Sequence, residues 1–161
     1  MMTRLFTDET LADISEQFRT IGNRTDRTVL RYTYHAYKDP RAQEFAHQGF
    51  VRRVRILERC IQNAFELIPP DTVDRVPASI LSDAQINIQA FIANVYGCAD
   101  NLAWVWVHET GLVDKIDRRK VGLRSHNLEV RRSLSPEMQA YLAGLDRWFT
   151  YIVDYRDALA H

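Results

Sequence analysis

Apolar positions recur at helical intervals along most of the chain. Leu11, Ile14, Phe18 and Ile21 share one face of residues 8–21, which predicts a short amphipathic helix stopped by Gly22. Residues 25–38 (TDRTVLRYTYHAYK) are ambiguous, because Thr, Tyr and Val also suit a strand. Asp39-Pro40 is a good helix start, with proline at the first helical position, and a long helix follows to Ile68. Its stripe is Val54, Leu57, Ile61, Ala64, Phe65 and Ile68, with Arg52, Arg53, Arg55 and Arg59 mostly off it. Pro69-Pro70 ends that helix. After a loop to Leu81, Ser82 is the expected cap of a second long helix, closed by Gly111. Ile88, Phe91, Ile92, Val95 and Trp106 lie on one face of it, and Ile86, Ala93 and Trp104 on the other. A helix apolar nearly all round is central in its fold or buried at a subunit contact, and both are expected here.

Residues 112–134 form the longest segment without helical periodicity. Seven Lys or Arg face three acids there, a local charge of +4. Ser135-Pro136 restarts a helix, with Glu137 in its first turn, and Gly144 breaks it before a terminal helix over roughly 145–160. There is no internal repeat, low-complexity tract or linker. The pattern predicts one all-α domain over residues 1–161, a helical bundle of about four to five helices with two long antiparallel central helices.

Composition narrows this further. Six Gly and five Pro are too few for a turn-rich β sandwich, and a formal net charge of zero argues against a surface coated in positive potential. Cys60 and Cys98 match no metal or redox spacing and read as reduced core thiols. The start has no apolar signal-peptide core, and the longest uncharged run, Ala84 to Ala99, is too short and polar to span a bilayer. These features predict a soluble, cytoplasmic protein with no membrane partner.

The last eight residues are DYRDALAH. On a wheel of about 100° per residue, Phe149, Ile152, Val153 and Leu159 gather within about 60° of Arg156. No acid lies three or four residues from Arg156, and Asp154 and Asp157 are expected to point elsewhere. An arginine on an apolar stripe needs a carboxylate from another helix, such as Asp100 or Glu66, a stem that reaches solvent, or a wet cleft.

The segment from Arg156 through Asp157 to His161, with four residues between Arg and His, resembles the signature of the HEPN superfamily (higher eukaryotes and prokaryotes nucleotide-binding). The resemblance covers the last eight residues closely and the bundle loosely. It implies a small helical bundle that forms a homodimer and places two motif copies in one cleft. It also implies a metal-independent endoribonuclease of toxin–antitoxin or antiphage-defence type, with an antitoxin or nucleotidyltransferase as a further partner. Members of the family continue past the His, so the chain is expected to be a segment cut just after His161.

The chemistry suits the residues. Cleaving RNA without a metal uses the substrate's own 2′-hydroxyl. His161 is the candidate general acid or base, Arg156 the phosphate clamp, and Asp157 the group that orients one of them. Arg156 and His161 diverge by about 140° in an unbroken helix, so the helix must loosen before His161 or the two must meet across a dimer. Arg118, Arg119, Lys120 and Arg124 of the basic segment, which also holds Lys115, Arg131 and Arg132, are the candidate RNA contacts. No cofactor or metal is expected, because the remaining histidines form no ligand pair of known spacing. Two other readings stay open: a non-catalytic module that binds RNA, nucleotide or protein, and a purely structural bundle with Arg156 in a buried ion pair.

Overall fold

The computed structural model describes residues 5–160. Its elements are α1 (Asp8–Thr33), α2 (Pro40–Glu44), a π-helical stretch (Phe45–Val51), α3 (Arg52–Leu67), α4 (Ala78–Glu109), a 3-10 turn (Arg118–Lys120), α5 (Leu128–Ser133), α6 (Pro136–Gly144) and α7 (Asp146–Ala160). Among the described residues there is no strand, and the fold is an all-α bundle.

The first helix is twice as long as its apolar pattern predicted. Thr7 caps it, its hydroxyl accepting from the Thr10 amide at 3.2 Å, and the helix then runs through Gly22 to Thr33. A glycine inside a helix costs only about 1 kcal/mol, and packing overrides it. Phe18 stacks on Phe65 at 4.4 Å, Tyr32 packs on Phe50 at 4.5 Å, and Thr25 and Val29 are buried between. The strand-like residues after Gly22 are helical because that face has α3 and the π-helical stretch to pack against.

α2, the π-helical stretch and α3 follow one another without a break, starting where Asp39-Pro40 predicted. The Asp39 carboxylate caps the start, accepting from the Arg41 amide at 2.6 Å. α4 begins at Ala78, just after Pro77, so Ser82 is no cap; its hydroxyl donates to the Ala78 carbonyl one turn inside the helix. The other end is as expected, with Gly111 at φ +65° directly after it.

Pairings across the two long helices fix an antiparallel register. The Lys38 and Asp39 amides donate to the Glu109 carboxylate at one end, Arg53 donates to Asn94 in the middle, and Asn63 donates to Asn87 at the other end. α1 runs antiparallel to α3 in the same way, with Phe18 opposite Phe65 and Asp26 opposite Arg55. Three long helices therefore build the bundle, where the sequence pattern pointed to two. α4 is the central one, packed against α2, α3 and α7.

Residues 112–134 hold more structure than their sequence suggests. Val107, Ile116 and Val130 form a buried cluster, covered by Trp106, Leu112, Val121 and Leu123. Trp106 Nε1 donates to Ser133 at 2.8 Å. Cys60 and Cys98 are both buried and unbonded. Among the described residues, no helix is long and apolar enough to cross a membrane.

Candidate functional site

α7 lies with Phe149 and Ile152 buried against α4, as the apolar stripe predicted. One turn further on, the same stripe reaches the surface, and there it carries Arg156. The guanidinium sits 4.1 Å from the centre of the Tyr96 ring on α4, a favourable cation–π distance. Its Nε and Nη2 both donate to one oxygen of Asp157, at 2.9 and 2.5 Å. Asp157 does not point away, as the wheel suggested, because the long arginine side chain folds back to reach it. Arg156 makes no ion pair with Asp100 or Glu66, and its side chain is 38% exposed. Asp157, followed by Tyr96, raises its pKa further above the ordinary arginine value. His161 lies outside the described residues.

Arg124 approaches the same ring from the connecting segment, 5.7 Å from the Tyr96 centroid. Buried Asn127 fixes its backbone: the Asn127 side chain accepts from the Arg124 amide at 3.2 Å and donates to the Lys120 carbonyl at 2.9 Å. Gly122 is needed beside it, since a Cβ there would lie 2.6 Å from the Asn127 side-chain oxygen. Arg131 locks the next piece, donating to the Leu123 carbonyl at 2.8 Å and forming a two-pronged ion pair with Asp146 at the start of α7. Arg131 is thus a buried structural cation and takes no part in a free basic surface.

The other predicted RNA contacts separate from this site. Arg118, Arg119 and Lys120 are exposed on the 3-10 turn. Arg118 lies over Trp104, 5.6 Å from the ring, and Lys120 pairs with Glu129 at 2.9 Å. Trp104 is eight residues along α4 from Tyr96, about 12 Å of helix. Trp104 also stacks on Phe45 at 5.4 Å, so it is no open subunit face; Ile86 on the same helix is exposed.

A third arginine enters from α3. The Arg53 guanidinium crosses α4 over Gly97, where a Cβ would meet its Cζ at 2.5 Å. Its Nη1 donates to Asn94, while its Nε is buried without a partner. Asp100, one turn beyond Tyr96, feels all three cations. Burial raises its pKa above the ordinary aspartate value, and Arg124, Arg156 and Arg53, in that order, pull it back down. Sequence reading missed Tyr96, Arg53 and Gly97, whose roles depend on which helices meet. It weighed Asp100 only as a buried ion-pair partner.

Asp100, Tyr96, Arg124, Trp148 and Phe149 line a small cavity of about 10 Å³. Beside it a second pocket of about 190 Å³ is lined by Arg124, Ser125, His126, Thr150, Val153 and Asp154. Among the described residues, no three His, Cys, Asp or Glu side chains are grouped to share a metal ion. No protein-family model matches the chain, and neither a curated protein nor a solved structure matches it significantly.

Proposed function

We propose that the chain is a HEPN-like domain whose Arg156 site contacts RNA phosphate and supports metal-independent cleavage, in a cleft completed by a second copy. The observation that carries this reading is the setting of Arg156. It stands at the rim of the bundle over Tyr96, beside Arg124, with Asp157 fixing its orientation. A guanidinium held but not sealed is suited to charge that builds on a phosphate.

An exposed apolar stripe beside it supports the dimer. Trp148, Tyr151, Tyr155 and Leu159 are all exposed on α7, at helical spacing along one face, with Tyr151 packed on Tyr155 at 4.8 Å. A row of exposed aromatic and apolar side chains on one helix face is suited to an interaction surface. His161 is the proposed proton-transfer group. Arg118 and Arg119 on the neighbouring turn are proposed as outlying phosphate contacts.

One observation favours a second reading, a module that binds RNA without cutting it. Asp157 occupies the Nε and Nη2 edge of Arg156, the side most apt for a bidentate phosphate grip. Incubating the chain with single-stranded RNA in EDTA separates the two. Cleavage that is lost in Arg156→Ala and in His161→Ala supports the nuclease. Binding without cleavage supports the module, and neither activity leaves the structural bundle.

A further inference from the structure

We infer that Arg124 and Arg156 bind a phosphoryl oxyanion at the rim, with Arg53 adding positive charge from behind, and that Asp100 is their resident counter-ion, so that binding the anion takes up a proton at Asp100. The inference rests on the reading of Arg156 as a phosphate clamp, and adds to it two arginines and an acid.

Three cations from three separate elements meet along one stretch of α4: Arg53 from α3 over Gly97, and Arg124 from the connecting segment and Arg156 from α7 over Tyr96, which lines one cavity with Arg124 and Asp100. Among the described residues, Asp100 accepts no hydrogen bond and forms no ion pair within 4.0 Å, so none of the three is consumed by it. The fold supports this gathering at some cost. α4 gives up a Cβ at Gly97 to let the Arg53 guanidinium through, and the Arg53 Nε is buried unpaired. Apolar residues would stabilise such a seam as well or better. Arg124 and Arg156 share one face-on aromatic, Tyr96, which draws two like charges together. With Asp100 and Asp157 set against three guanidiniums, the cluster keeps one net positive charge for an anion.

The groups that face Asp100 define how it responds. Besides the three arginines, its own helix offers Tyr96, one turn earlier, on the wall of the same cavity. Asp157 lies on the Arg156 guanidinium. An arriving phosphate repels the Asp100 carboxylate, and protonation removes that repulsion. Because burial already raises the Asp100 pKa, the proton is held at milder acidity than for an ordinary aspartate. The inner cavity, about 10 Å³, has room for little more than a water, so the anion sits at the rim on Arg124 and Arg156.

The same chemistry is offered by an RNA phosphodiester and by a free phosphoryl group. Calorimetric titration of the chain with inorganic pyrophosphate and, separately, with a 2′-deoxy oligonucleotide distinguishes them, since neither probe can be cleaved through a 2′-hydroxyl. Binding of either probe should strengthen as pH falls through the mildly acidic range, with proton uptake read from buffers of different ionisation heat. Asp100→Asn should bind about tenfold more tightly at neutral pH, the effect of removing one nearby charge, and without proton uptake. Arg53→Met and Arg124→Gln should each weaken binding about fivefold or more; Arg124→Gln, at the rim, serves even if Asp100→Asn does not fold. Failure of the folded chain to bind either probe overturns the inference, as does equal or weaker binding by Asp100→Asn. Loss of RNA cleavage with these binding results intact removes the nuclease reading alone.

Discussion

The Arg53 guanidinium lies across the bare backbone of Gly97, and this contact joins the seam between α3 and α4 to the Asp100 cluster. A methyl group at position 97 would meet the end of a flexible side chain, which can swing aside. Replacing a helix-interior glycine gains about 1 kcal/mol, and losing the Arg53–Asn94 hydrogen bond costs about as much. Gly97→Ala should therefore unfold in urea within about 1 kcal/mol of the parent, yet bind pyrophosphate more weakly because Arg53 is displaced.

Gly49 offers the opposite case in the same seam. A Cβ there would run into the short Asn101 amide, which is tied by a 2.7 Å hydrogen bond to the Gly97 carbonyl and cannot move away freely. Gly49→Ala should cost about 1–3 kcal/mol by overpacking, read as a lower urea midpoint at unchanged slope.

Two arginines of the terminal half should separate cleanly on substitution. The Arg131 side chain is 11% exposed and paired with Asp146, so Arg131→Met should destabilise the fold by about 2–3 kcal/mol, because the Leu123 carbonyl loses its donor and the partly exposed acid its partner. Arg156, at 38% exposure and ion-paired among the described residues with its neighbour Asp157, should cost less than about 1 kcal/mol as Arg156→Ala. Under the proposed function, that same change should lower RNA cleavage about 100-fold or more. Thermal unfolding and a gel assay in EDTA read the two effects separately.

Asp100 should leave a mark on stability against pH. Its pKa is higher in the folded chain than the ordinary aspartate value, so its ionised form weakens the fold. The penalty is full above the folded pKa and shrinks as pH falls through it, disappearing below the ordinary aspartate range. Asp100→Asn should thus unfold at a higher temperature than the parent at neutral pH, and the difference should close under acid conditions. A difference that widens with acidity would reverse the sign of the burial effect.

The exposed turn allows a milder expectation. If it tracks phosphates, changing Arg118, Arg119 and Lys120 together to Ala should weaken RNA binding and flatten its salt dependence. Most of the loss should come from Arg118 and Arg119, since Glu129 already neutralises Lys120. An unchanged salt slope would leave the turn as solvated surface.

By itself, the sequence determined the all-α character and several boundaries: Asp39-Pro40 as a start, Pro69-Pro70 and Gly111 as stops, and Ser135-Pro136 as a restart. These follow from backbone chemistry that acts over a few residues: a missing proline N–H, a side-chain cap, a glycine φ. It also placed Phe149, Ile152 and Arg156 on one stripe of the last helix. What the tertiary structure decided is what each stripe meets. Residues 25–33 are helical because α3 and the π-helical stretch offer Phe18 and Tyr32 their partners, a contact that local propensity cannot register. The basic segment divided for the same reason. Arg131 found Asp146, Arg118 found Trp104, and Arg124 joined Arg156 over Tyr96. A charge count over 112–134 adds such residues together, whereas the energy of each depends on the burial and partner that distant helices supply.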